Sequence, residues 1–148
     1  MTMQHIEIIQ IFNAPVGNIF NLLTDHESFG RIIKTKIRRV VDSNNENKNG
    51  KGSVRKVNVF PLPAFEESVI TFDPNNVMEY VVSKGSPIKN HKGRMEFLSE
   101  HGKTRLIYTI DFEPKLPFFF LGGVLKKAIE KPLKKGFVQL AQKYDNPV

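Results

Sequence analysis

The sequence predicts an α+β fold in which one antiparallel sheet lies under a single long carboxy-terminal helix. Three observations predict it. Leu121 to Tyr144 is the one stretch with helical apolar spacing long enough to cover a sheet: Leu125, Ile129, Leu133, Phe137, Leu140 and Tyr144 recur at steps of three and four. Upstream of it, short segments alternate apolar and polar residues, the period of half-buried strands. Between them stand turn residues at hairpin spacing, and runs of strands followed by a helix give an antiparallel layer with the helix on its dry face.

In chain order, His5 to Phe12 is the first strand and ends at Asn13-Ala14-Pro15. Pro15 sits where a first helical residue would, and Val16, Ile19, Phe20 and Leu23 follow at the spacing of a short amphipathic helix. Phe29, Ile32 and Ile33 mark a second brief helix. Strands are then predicted at Ile37 to Val41, Val54 to Phe60, Phe65 to Phe72, Val77 to Ser83, His91 to Ser99 and Thr104 to Phe112. The asparagine-rich run Ser43 to Lys51 reads as a loose turn, and Pro61-Leu62-Pro63 as a loop with an apolar tip, since neither proline can donate to a ladder. In the last helix, Val124, Ala128 and Ala141 widen the apolar stripe, and six lysines fill most of the opposite side. Pro132 removes one backbone donor there and predicts a bend near Lys131.

The 148 residues suit one domain, residues 1–148. The absence of cysteine removes disulfides, thiolate catalysis and cysteine metal sites, and fits a reducing, cytoplasmic home. Met1 to Phe12 alternates instead of running apolar, so no signal peptide is read, and Leu116 to Leu125 is too short to cross a bilayer. A net charge of +7 raises the question of nucleic acid or anionic membrane. The lysines are scattered without an aromatic-plus-basic motif, so no nucleic-acid partner is expected.

Histidines and carboxylates carry what chemistry the sequence offers. His5 and His101 fall at a chain end and in a turn, and His26, between two acids, reads as solvated. His91 shares strand parity with Met95 and Phe97 and faces inward, where an imidazole serves as hydrogen-bond partner, acid or base, or simply ends the strand. Glu66 and Glu67 are adjacent, so one faces in and one out; the count to the Asp73 turn favours Glu67 inward. There it would act as ligand acceptor or general base, or pair with Arg55 across the hairpin. Tyr80 and Tyr108 offer hydroxyls to an interior or fill it. No spacing supports a metal or cofactor site, and no nucleophile elbow, phosphate loop or dinucleotide fingerprint is present.

The order of elements, with Ala14-Pro15-Val16 opening the first helix, Asp25 near its end, Phe72-Asp73-Pro74 in a turn and Gly102-Lys103-Thr104-Arg105 before the final strand, resembles the START/polyketide-cyclase (SRPBCC) superfamily. The resemblance implies a helix-grip fold: a seven-stranded antiparallel sheet around the long helix, with a cavity for an apolar ligand between them. Gly52 to Val59 followed by Leu62-Pro63-Ala64 resembles the strand and gate loop of plant abscisic-acid receptors. Gly30 stands where those receptors carry their anchoring lysine and Ser86-Pro87-Ile88 replaces their latch, so this likeness implies a mobile apolar lid over a pocket mouth and no hormone anchor.

The expected function is uptake of a hydrophobic or amphipathic small molecule such as a lipid, isoprenoid or polyketide. Val57, Val59, Leu62, Glu67, Tyr80 and His91 are the expected lining from the sheet and its loop, with Phe97, Tyr108, Ile129, Leu133 and Phe137 completing it. Gly93 and Gly136 are read as leaving room for the cavity. Two alternatives stand beside this: a polyketide cyclase or dehydratase using Glu67 and His91 as acid and base, and a lipid carrier making weak contact with anionic membranes. For the last, the apolar run Leu116 to Leu121 next to Lys126, Lys127, Lys131, Lys134 and Lys135 is the motif.

Overall fold

The computed structural model describes residues 3–59, 62–115 and 118–145, the last without the side chains of Phe118 and Phe119. Phe60 and Pro61 of the expected strand and lid, and Leu116 and Pro117 of the apolar run, lie outside the described residues. Seven strands, β1 (Gln4–Phe12), β2 (Lys36–Val41), β3 (Val54–Asn58), β4 (Phe65–Asp73), β5 (Val77–Lys84), β6 (Ile88–Glu100) and β7 (Lys103–Pro114), form one antiparallel sheet in the order β1-β7-β6-β5-β4-β3-β2. Helices α1 (Val16–Thr24) and α2 (His26–Ile33) link the two edge strands, β1 and β2, across the sheet's width. A short 3₁₀ turn (Phe118–Leu121) leads into α3 (Gly122–Asp145).

Alternation decides which side of each strand is dry. In β7 every second residue from Thr104 to Phe112 is buried, and Met95 and Phe97 of β6 face the same side. Phe20 of α1 stacks edge-on against Phe72 and Phe97, with ring centroids 5.3 and 5.0 Å away, while Phe12 and Phe29 meet Phe137 of α3. Ring edges against ring faces are the favoured aromatic geometry. Phe97 and Phe137 are therefore core side chains, not part of the cavity wall expected of them.

The helix α3 lies along β1 and α2 and continues through Pro132 to Asp145. It packs on α2 at Gly136, where a β-carbon would stand 2.5 Å from the Ile32 carbonyl oxygen. Gly136 thus serves helix–helix packing; it does not make room for a cavity. Gly30, in α2, is equally confined, since a β-carbon there would lie 2.8 Å from the Thr35 carbonyl oxygen. No lysine side chain fits at that position.

One loop expectation and one histidine expectation are corrected. The segment after β2 is a well-bonded turn instead of a loose one: Ser43 donates its hydroxyl to the Lys51 carbonyl (2.6 Å), and the Asn49 side chain donates to Asp25 and accepts from Arg39 and from the His26 amide. His26 is fully buried, not solvated, with Nε2 2.9 Å from the Ser53 hydroxyl. It opens α2 directly after the capping residue Asp25, which accepts from the Ser28 amide.

Burial, and then the positive charge of Arg55, push the His26 pKa down to about 3 from 6.5. The unfolded chain therefore binds the proton more tightly, so stability is complete above about pH 6.5 and is lost as pH falls toward 3, by about 1.4 kcal/mol per pH unit for this residue. Urea unfolding at stepped pH should show this slope, and His26→Gln should flatten it. Gly136→Ala should cost on the order of 2 kcal/mol in the same assay, because backbone and not a flexible side chain blocks the added methyl.

Candidate ligand-binding site

Between α3 and the β3–β7 part of the sheet lies a hollow of about 270 Å³. Its wall is mostly apolar. Val57, Val59 and Leu62 come from β3 and the loop after it, Tyr108 from β7, and Ile129 and Leu133 from α3. At one end the wall turns polar with Arg55, Glu67, Tyr80 and His91. Of the eleven side chains expected to line a cavity, all but Phe97 and Phe137 border this one.

Arg55, expected only as a partner of Glu67, is a lining residue that strand parity with Val57 and Val59 could have found. It shares a face of β3 with Val57 and Val59, and that face is buried. β3 pairs with β4 so that Arg55 lies directly opposite Glu67, and Arg55 Nε donates to Glu67 Oε1 at 2.8 Å. Glu66 and Glu67 point to opposite sides of β4, and Glu67 is the inner one, 7% exposed. The guanidinium also lies over the rings of Tyr80 and Phe29, 4.4 and 5.0 Å from their centroids. Burial opposes its charge, but Glu67 and the neighbouring tyrosines outweigh this and hold the Arg55 pKa above its ordinary value. Its Nη1 has no hydrogen-bond partner among the described residues.

Tyr80 reaches this place because Gly93, its partner on β6, has no side chain. A β-carbon at position 93 would lie 2.2 Å from Tyr80 Cζ, so the ring crosses the strand there and its hydroxyl meets that of Tyr108. Gly93 therefore seats an aromatic ring and does not open the space expected of it. Burial raises the pKa of both tyrosines, so both hydroxyls keep their protons.

The β5–β6 ladder runs from Val77–Glu96 to Tyr80–Gly93, and β6 shifts register against β7 between Lys89 and Lys92. Beyond the ladder the Val82 amide donates to His91 Nδ1 at 2.9 Å. An amide can only donate, so Nδ1 accepts, and the proton of the neutral ring sits on Nε2. That nitrogen is 3.8 Å from Glu67 Oε2. Burial lowers the His91 pKa against the pull of Glu67 and favours this neutral form. The polar end of the wall thus holds a guanidinium nitrogen without a hydrogen-bond partner among the described residues, an imidazole N–H and a carboxylate oxygen.

Leu62 and Leu121 are half-buried and Val124 and Ala128 exposed, and all four border the hollow, so it opens between the loop after β3 and the first turns of α3. Among the described residues, no group of three or more His, Asp or Glu is placed to hold a metal ion, and no helix is long and apolar enough to cross a membrane.

A seven-stranded antiparallel sheet curved around a long carboxy-terminal helix defines a helix-grip protein of the SRPBCC superfamily. Within it the chain belongs to the family described as polyketide cyclase / dehydrase and lipid transport, which matches residues 3–145. The structure is similar to the Zhui aromatase/cyclase of Streptomyces sp. R1128, with a TM-score of 0.76 and 16% identity over 97% of this chain and 94% of that one. It is also similar to norcoclaurine synthase of Thalictrum flavum in complex with dopamine and hydroxybenzaldehyde (TM-score 0.69, 10% identity, 99% and 90% covered). A protein of Thermus thermophilus gives a TM-score of 0.72 at 18% identity, with 95% and 97% covered. At these identities the likeness is one of fold. No curated protein matches the chain in sequence.

Removing one member of a buried ion pair leaves the other charge uncompensated, at a cost of about 3–5 kcal/mol, whereas replacing both by apolar groups is near neutral. Glu67→Ala should therefore lower unfolding free energy by that amount. The double variant Arg55→Met with Glu67→Leu should recover most of it, a coupling that a double-mutant cycle in urea measures.

Proposed function

We propose that the protein binds a hydrophobic or amphipathic small molecule, of the lipid, isoprenoid or polyketide kind, in the hollow between sheet and α3. The observation that carries this reading is the division of the wall: apolar along its length, and at one end a buried arginine with a nitrogen that lacks an acceptor. Ligand pockets are built from such walls with a few polar groups that fix orientation. A carbonyl, hydroxyl or carboxylate oxygen on the ligand would complete Arg55 and accept from His91 Nε2. The volume lies just under the usual range of about 300–1,000 Å³, so a compact molecule fits whole and a long chain leaves its tail in the mouth beside Val124 and Leu62.

The closeness of Glu67 Oε2 and His91 Nε2 supports a second reading, cyclisation or dehydration of a polyketide-like substrate. With Nδ1 already accepting from Val82, His91 would hold an oxygen and Glu67 would take the proton. Turnover of a poly-β-ketone that is lost in Glu67→Gln while binding persists would establish it; binding without turnover would leave the carrier reading.

Native mass spectrometry of protein from its own host should show a co-purifying small molecule. In vitro, the Arg55→Met/Glu67→Leu variant should bind an apolar fluorescent probe bearing a carboxylate about tenfold or more weakly than the parent does, the scale of a hydrogen bond to a charged group. The same probe without the carboxylate should bind both proteins alike. Leu62→Asp should weaken both probes with little change in melting temperature, because Leu62 borders the opening on a loop.

A further inference from the structure

We infer that the mouth of the hollow docks on the surface of an anionic phospholipid bilayer, with the first half of α3 lying against the headgroups. The apolar part of this face is on the rim itself. Val124 borders the hollow and is 64% exposed, and Phe120, one residue before the lining residue Leu121, is 70% exposed. Exposed apolar side chains grouped beside an entrance mark a contact surface.

The charged part follows along the same side of the helix. Val124, Lys127, Ala128, Lys131, Lys134, Lys135 and Val138 are all exposed and recur at three- and four-residue steps, so from Val124 to Lys135 they form one strip about 16 Å long. The helix carries six lysines against two acids, Glu130 and Asp145. Among the described residues, only Lys134 of these lysines has a carboxylate partner, Glu130 at 3.6 Å. Lys127, Lys131 and Lys135 thus present unneutralised charge next to exposed apolar side chains. Nucleic acid would be met by the charge but not by Phe120 and Val124; a bilayer takes both, the lysines at the phosphates and the apolar pair in the headgroup–acyl boundary. In this orientation the opening faces the membrane, and a molecule leaving the hollow passes into lipid without crossing water.

The chain contains no tryptophan, so Phe120→Trp gives a single reporter on the rim. The expected result is flotation with equimolar phosphatidylcholine and phosphatidylglycerol vesicles, little with pure phosphatidylcholine, and weakening as salt is added. Each lysine near such a surface contributes about a fivefold factor, equivalent to about 1 kcal/mol, so Lys127, Lys131 and Lys135 changed together to Gln should lower partitioning about a hundredfold with the melting temperature unchanged. Phe120→Trp should shift its emission to the blue on the mixed vesicles and be quenched by brominated acyl chains. Equal flotation on both vesicle types, flotation unaffected by the triple change, an unmoved tryptophan on bound protein, or binding to a free polyanion without binding to vesicles would each overturn the inference. The assay uses protein without added probe, so its failure alongside intact probe binding would remove the docking and leave the ligand-binding reading standing.

Discussion

A guanidinium at 1% exposure is the most demanding group in this fold, and the arrangement around the hollow can be understood as the set of conditions that let it stay there. Desolvating such a charge costs several kcal/mol even after relaxation, so it needs an opposite charge, polarisable surfaces and hydrogen-bond acceptors at once. The β3–β4 register supplies the first by setting Glu67 opposite Arg55. Phe29 from α2 and Tyr80 from β5 supply the second. The third is left incomplete, and that deficit gives the site its chemical character.

The conditions reach outward through neighbours. Tyr80 can lie over Arg55 because β6 carries a glycine at position 93, and His91, 3.8 Å from Glu67, stands where β6 shifts register against β7. These are local departures from a regular sheet. They cluster at one end of the hollow and leave the rest of the wall to ordinary packing, as expected where a fold gives up regularity for a site.

How much of this could be read in advance follows from what periodicity records. Strand and helix periods report which side of an element is dry, so all seven strands, both short helices, the long helix and the inward direction of Glu67 and His91 were legible. Pairing distance and close approach are not periodic. Gly93 and Gly136 were seen as small residues facing inward, but whether a glycine leaves space or is filled by a neighbour depends on the ring or carbonyl opposite it, and here both are filled. Phe97 and Phe137 have the right parity for the hollow and are claimed instead by Phe20 and Phe12. His26 looked solvated from its acidic neighbours, whereas its burial comes from Ser53, twenty-seven residues away. Arg55 was the recoverable miss: the parity that turned Val57 and Val59 inward applied to it as well.

Pro132 divides α3 into two stretches joined by a turn with one backbone hydrogen bond fewer. The half after it is pinned where Gly136 lies against the Ile32 carbonyl, with no slack for sliding. At the proline itself the missing amide leaves the Ala128 carbonyl without its usual helical donor, so the backbone there is joined by one bond fewer than elsewhere along the helix. Bending is cheapest at that turn. The stretch before it carries Val124 and Ala128 on the rim of the hollow, so any bending at that turn would change the width of the opening while the packing at Gly136 stays in place.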